Sequence, residues 1–267
     1  MKRRRSEFRW AVFVLWLFVL PLDGRAQSSP PSNDPYRFIE WSIQDVKAIA
    51  RGVPSKYSLY AAAGMGGALL TLSWQDDNLT DGAIDLAEGT NSKVRRVVNE
   101  IGNVKAVRPM ALLLFLGSLT SSSRRFQDAA FTSLEAVVFS NLLTNTLKSV
   151  VGRARPYQDR GAQTFRPLSG DKSFPSGHAT TVFAFTTPWL LYYSNVPTYG
   201  LFILGIGTAF MRMADNAHWF TDVLVGGGIG FTTAYMLTRR HQRRAGTISV
   251  TPVLADGQGG LFVRVRL

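Results

Sequence analysis

Cysteine is absent from all 267 residues. Its absence excludes disulfides, thiolate metal sites and a cysteine nucleophile. Histidine is nearly as scarce, with three in the chain. No internal repeat and no low-complexity block appears, and no carboxylate cluster of the kind that holds a metal is visible. A basic-aromatic patch or DNA-reading motif is also missing, which sets nucleic acid aside as a partner. Acidic residues are the minority charge, 18 Asp+Glu against 30 Lys+Arg, for a net charge of +12. Such a balance suits an anionic substrate or a phospholipid surface, and it equally describes a solvated positive-inside face. Long apolar runs are few, and a mean hydropathy of +0.03 is low for a protein with six membrane spans.

The first segment is the most clearly patterned. Lys2, Arg3, Arg4 and Arg5 precede an apolar run from Trp10 to Leu22, and small residues Gly24 and Ala26 then precede Gln27. A charged start, a short apolar middle and a small-residue end are the parts of a secretory signal peptide, expected over residues 1–26. An uncleaved anchor helix delivers the following residues to the same side. Residues 27–56 read as a Ser/Pro-rich leader, Gln27–Pro35, and a surface helix, Tyr36–Ala50.

Apolar stretches then recur at Tyr57–Trp74, Met110–Leu119, Ala129–Val151, Ala179–Tyr193, Tyr199–Met213 and Trp219–Leu237. They predict an all-α bundle of about six core helices over residues 57–240. A polar insert, Gln75–Arg108, carries one short amphipathic helix, Ser92–Ile101. Thr247–Leu254 and Leu261–Leu267 flank a Gly-rich turn and predict a C-terminal β-hairpin over residues 245–267. Only the first, third and last stretches approach the roughly 20 apolar residues that cross a bilayer. A compact bundle of buried helices is therefore the alternative to a membrane-spanning one.

Three short patches carry the chemistry. In KSVVGRARP, Lys148 and Arg155 are seven apart, two helical turns, so both face one side if the helix continues to Pro156. Two cations on one side, one with a planar fork, make a receptor for phosphate oxygens. In FPSGH, Ser176 is a candidate helix cap, Gly177 permits close backbone approach, and His178 falls in the first turn. Free N–H groups at that helix start bind an anion. In RMADNAHWFTD, His218 and Asp222 are four apart, on one helical face, with Arg212 on the turn before. A carboxylate that accepts from one imidazole nitrogen leaves the other nitrogen's lone pair free to attack.

In this order and spacing, the patches resemble the three signature motifs of the type 2 phosphatidic acid phosphatase (PAP2) superfamily, shared with vanadium haloperoxidases and bacterial class A acid phosphatases. The resemblance runs from about Ala129 to Leu237. It departs at Met211, where the family usually has Ser just before the third-motif Arg. The resemblance implies a PAP2-like helical bundle and metal-independent hydrolysis of phosphate monoesters or pyrophosphates, without a cofactor. By motif position, His218 resembles the nucleophile that becomes phosphohistidine and Asp222 its orienting partner, while His178 resembles the general acid. Lys148, Arg155 and Arg212 resemble the clamp on the non-bridging oxygens, assisted by Ser176 and the Gly177 N–H. The implied substrate is a phosphorylated lipid or a small phosphoester, and a membrane surface is an implied partner. A vanadate-dependent haloperoxidase and a non-catalytic phospholipid-binding envelope protein are the rival readings.

The positive-inside rule sets Arg124, Arg125 and the Arg239–Arg244 cluster on the cytoplasmic side and the active-site mouth in the periplasm. Three spans before the Lys148–His178 loop would instead place that loop inside. Either at least one stretch, Met110–Leu119, does not span, or the bundle does not span at all; the expectation is an exported helical domain, peripheral or partly embedded, with its site in the periplasm.

Overall fold

The computed structural model describes residues 36–51, 66–69, 71–245, 249–255 and 258–264. The signal-peptide and leader expectations, and most of the Tyr57–Trp74 stretch, lie outside the described residues.

Helix α1 (Tyr36–Arg51) is amphipathic. It buries Phe38, Trp41 and Asp45 and leaves Ile39, Ile43 and Ile49 exposed. Residues 75–108, expected as an insert with one helix, hold two and the start of a third. Helix α2 (Asp76–Glu88) begins with Asp76 and Asp77, which suit the positive end of its dipole. Helix α3 (Ser92–Ile101) is capped by Asn91, which accepts from the Lys93 N–H at 2.8 Å. Helix α4 (Val104–Ser118) is capped likewise by Asn103, at 3.0 Å from the Lys105 nitrogen. Its Val107, Ala111 and Leu114 recur at helical spacing and are buried.

Four longer helices form the heart of the fold: α5 (Arg124–Val151), α6 (Gly177–Tyr193), α7 (Val196–Ala214) and α8 (Phe220–Ala245). They run alternately up and down, so α5 and α7 end where α6 and α8 begin. All the predicted chemistry collects at that end. The core between them joins Val107 and Leu114 to Ala129, Ala136, Val137, Phe185, Trp189, Ala234 and Leu237. Beyond α8, backbone segments β1 (Ser249–Ala255) and β2 (Gln258–Arg264) pair antiparallel, with Val250 opposite Val263. The architecture that places the site is all-helical.

Pro156 does not stop α5, contrary to expectation. The helix ends five residues earlier, at Val151, and is followed by Gly152, whose φ of 59° is left-handed and whose N–H donates to the Lys148 carbonyl at 3.3 Å. Only glycine adopts this conformation without strain, and it is the ordinary residue just past a helix end.

α6 and α8 start at the same level and pack closely. A Cβ at Gly226 would fall inside contact distance of the Ser176 carbonyl, and one at Gly230 inside that of Thr180. Both obstacles are backbone, which cannot swing aside. Gly230→Ala should therefore destabilise the protein by about 1–3 kcal/mol, as overpacked cores do. Thermal unfolding checks this, with Gly228→Ala as the control because open space surrounds Gly228. An unchanged Tm in Gly230→Ala would contradict the close approach.

Candidate active site

Four of the motif residues reach the site from helix ends. Lys148 sits in the last turn of α5, His178 in the first turn of α6, Arg212 in the last turn of α7, and Asp222 in the first turn of α8. Arg155 precedes a single 3-10 turn, Pro156–Gln158, in the loop after α5. Lys148 and Arg155 therefore do not share a helix. The left-handed Gly152 turns the chain between them, so the two cations approach from different segments. His218 and Asp222 do not share a helical face either, because His218 precedes α8 by two residues.

The carboxylate of Asp222 is fully buried and held on both oxygens. Oδ1 accepts from Arg153 Nη1 at 2.7 Å. Oδ2 accepts from the Trp219 N–H at 3.0 Å and from the Ser173 hydroxyl. Trp219 is the residue just before α8, so Asp222 also reaches back to cap its own helix. His218, 2% exposed, lies with Nδ1 3.5 Å from Asp222 Oδ2. That separation is a close charge contact and not a formed hydrogen bond, since Nδ1 has no hydrogen-bond partner among the described residues. Such contacts are often long before substrate binds and tighten around it. The His218 N–H of the main chain donates to the Arg212 carbonyl at 3.1 Å, which joins the end of α7 to the imidazole.

Arg153 was not singled out in the sequence, nor were Asp76 and Ser173. Arg153 is 1% exposed and donates to Thr221 Oγ1, Asp222 Oδ1, Asp76 Oδ2 and the Ala162 carbonyl. Asp76, from α2, also accepts from the Thr221 N–H at 2.8 Å and so caps α8 from another helix. One buried guanidinium thus lies between two buried carboxylates. Arg153 was visible within KSVVGRARP, two residues before Arg155. Asp76 carried no local signal, because its partners lie 77 and 145 residues away.

Ser176 occupies the position before α6, but its hydroxyl does not cap the helix. It is buried without a hydrogen-bond partner. The Ser176 N–H donates to the Asp222 carbonyl at 2.8 Å, tying the start of α6 to α8. The first bond within α6 runs from Thr180 N–H to Ser176 O, at 3.0 Å. The N–H groups of Gly177, His178 and Ala179 precede it and have no partner along the helix.

The site carries more positive charge than it neutralises. Lys148 Nζ donates only to the Lys172 and Ser173 carbonyls, at 2.8 and 3.4 Å. Arg212 is 3.7 Å from Asp215, and its Nε is buried without a partner. Burial pulls Lys148 down to about 8, and Arg155 adds to the depression. Burial also pulls His178 down to about 3, with Arg212, His218, Arg155 and Lys148 all pressing the same way. His218 falls to about 4 through burial, against the opposing pull of Asp222. Asp222 stays below the ordinary carboxylate range despite its burial, because His218, Arg153 and Ser173 outweigh it. Burial first, and neighbouring cations second, depress Lys148, Arg212 and both imidazoles, as befits a site built around an anion.

Residues 129–245 match the PAP2 superfamily. This segment is a PAP2 domain. A lipid A 1-phosphatase of Rhizobium etli is 42% identical over 136 residues, which cover 45% of this chain and 57% of that protein. A lipid A 1-phosphatase of Porphyromonas gingivalis is 39% identical over 234 residues, 82% of this chain and 47% of that protein. The undecaprenyl-diphosphatase BcrC of Bacillus subtilis is 29% identical over 113 residues, 42% of this chain and 56% of that protein. The chain thus spans about half the length of each of these relatives. Met211, where the family usually has Ser, is buried and packs with Ala87 and Ala214, so the departure lies against α2.

Two outcomes follow for this PAP2 site. Arg153→Ala leaves Asp76 and Asp222 buried without their cation and should cost about 3–5 kcal/mol of stability. Denaturant unfolding measures it, and a loss below 1 kcal/mol would remove Arg153 from the scaffold. The second concerns pH. An oxyanion binds the protonated Lys148, and the free protein loses that proton as pH rises through about 8. Tungstate inhibition should therefore weaken above pH 8. Lys148→Arg, which does not titrate in this range, should flatten the profile.

Proposed function

We propose that the protein is a metal-independent phosphatase that hydrolyses lipid-linked phosphate monoesters or pyrophosphates through a phosphohistidine. The observation that carries this reading is the convergence of Lys148, Arg155 and Arg212 with two imidazoles at one end of the bundle. Phosphoryl transfer spreads charge over three equatorial oxygens, and three cations from three segments suit that distribution. The Ser176 hydroxyl and the Gly177 N–H are additional donors at the same helix start.

In this mechanism Asp222, held by Arg153 and Ser173, keeps the His218 proton on Nδ1. The Nε2 lone pair attacks phosphorus, and the P–O bond to the alcohol breaks. His178 gives its proton to the departing oxygen, then takes one from the water that attacks the phosphohistidine. His178 is held neutral in the free protein near pH 7 by burial first and by the neighbouring cations second, and an incoming phosphate dianion offsets those cations and favours a proton from solvent on the ring. Substrate binding thus arms the acid. Electrostatic charge at the transition state is supplied by side chains, so no step requires a metal.

A lipid-linked substrate is supported by the exposed apolar surface of the helices and by the lipid A 1-phosphatases among the relatives. Leu112, Leu113 and Leu116 on α4, Ile203 and Ile206 on α7, and Phe231 and Tyr235 on α8 are all exposed. Among the described residues α7 is the helix long and apolar enough to cross a membrane. We read the domain as membrane-associated, with its apolar flank in lipid and its mouth in the periplasm. The basic residues Arg124, Arg125 and Arg239–Arg244 gather at the far end, as the positive-inside rule asks of a cytoplasmic face.

Histidine variants test the chemistry. His218→Ala should lose several powers of ten in turnover on every substrate while staying folded, and turnover of the natural protein should survive EDTA. His178→Ala should lose far more rate on an alkyl phosphate than on nitrophenyl phosphate, whose leaving group needs little protonation. Labelled phosphate should be trapped on histidine in the natural protein and not in His218→Ala. Label that persists in His218→Ala and vanishes in His178→Ala would exchange the two roles.

A further inference from the structure

The third histidine lies at the opposite end of the bundle, in a second cluster that the phosphatase chemistry does not use. His241 near the end of α8 meets Asp45 from α1 and Glu135 from the first half of α5. All three are buried, at 0%, 1% and 5% exposure. Glu135 and Lys148 are 13 residues apart on α5, about 20 Å along the helix. The cluster is therefore separate from the active site.

The proton positions at His241 follow from its neighbours. The Thr132 hydroxyl donates to the Asp128 carbonyl at 2.6 Å. Its single proton is then committed, so its 2.8 Å contact with His241 Nδ1 requires Nδ1 to be the donor. Nε2 is left as the nitrogen whose lone pair points at carboxylates. Asp45 Oδ2 lies 2.8 Å from it and Glu135 Oε2 lies 3.4 Å from it. Neither oxygen of Glu135 makes a hydrogen bond of good geometry among the described residues, although the side chain is almost wholly buried; the Ser42 hydroxyl is the other polar group beside it. A lone pair and two carboxylates facing one another need a positive charge between them, either a shared proton or a metal ion.

We propose that Asp45, Glu135 and His241 form a zinc site that ties α1 to α5 and α8. One candidate ligand atom from each residue lies within 4.8 Å of the others. Zinc takes nitrogen and oxygen ligands at about 2.0–2.2 Å, so tetrahedral ligand atoms stand roughly 3.3–3.5 Å apart. The Glu135–His241 separation already meets that spacing, and the Asp45–His241 separation has to open by about half an ångström. Outer partners are also in place. Thr132 fixes the ring through Nδ1, Trp41 stacks on it at 4.5 Å between centroids, and Arg240 and Arg244 hold Asp45 Oδ1 at 3.0 and 2.9 Å. Arg244 also reaches Asp45 Oδ2, at 3.2 Å, and must release it when zinc binds. Three protein ligands leave the fourth position to water, and any proton on Nε2 leaves to solvent. The site's role is structural, because no substrate group reaches it.

The test uses the full chain in detergent, stripped with a chelator and titrated with zinc chloride. One zinc per chain should survive gel filtration in the natural protein and in His218→Ala, and it should raise the Tm. Glu135→Gln, nearly identical in shape, should retain none and show no zinc-dependent rise. Should that variant not fold, Thr132→Val serves instead, with zinc affinity reduced about 10–100-fold by loss of the orienting bond. Phosphatase activity of the zinc-free protein should match that of the loaded protein. No zinc retained by the natural protein, or equal zinc in it and in the folded variant, would leave a shared proton as the occupant and overturn the proposal.

Discussion

The buried guanidinium of Arg153 is the interaction on which the active end of the molecule depends. It fastens α2 to α8 through Asp76 and Asp222, and it fastens the loop after α5 to both. Two ionised carboxylates in a protein interior would repel and would each face a large desolvation cost. With Arg153 between them, one becomes a helix cap and the other a fixed anchor for an imidazole. The stability of this centre and the orientation of His218 are thus one physical problem with one solution.

What could be read from the sequence was what is local. His178 follows a Pro-Ser-Gly turn that opens a helix, and Arg212, His218 and Asp222 fall within eleven residues, so their spacing alone announced a site. Helix α3 was legible to its end residues because its apolar and basic residues alternate at helical period. The orientation of Lys148 and Arg155 was misread because two helical turns and a left-handed break are indistinguishable until the role of Gly152 is known. Asp76 and α2 were invisible for a different reason. Their value lies in contacts with residues far along the chain, and an Asp at the start of a polar stretch looks like any solvated carboxylate. Asp45 and Glu135 were hidden in the same way, each meaningless without His241.

The two ends of the bundle differ in how they treat charge. At the active end, positive side chains are crowded together in a buried place and left short of anions, so burial first and that crowding second depress Lys148 and both imidazoles. At the far end, Asp45 is surrounded by arginines and a histidine, while Glu135 faces the same histidine at 3.4 Å. Between them the helices meet through small and apolar residues, with glycines setting the separation of α6 and α8. Since α6 carries His178 and α8 carries Asp222, that separation sets the distance between these two side chains.

The loop between α5 and α6 leaves and returns at one point. Arg153 and Ser173 both bond Asp222 by their side chains, and the Ser173 N–H donates to the Arg153 carbonyl at 3.0 Å. Residues 154–172 therefore hang from a pinned neck. Arg155 lies just beyond that neck, and the Ala162 carbonyl and the Arg166 N–H are held as well, by Arg153 and by the Gly152 carbonyl, so a change of length in this loop would be felt at both arginines.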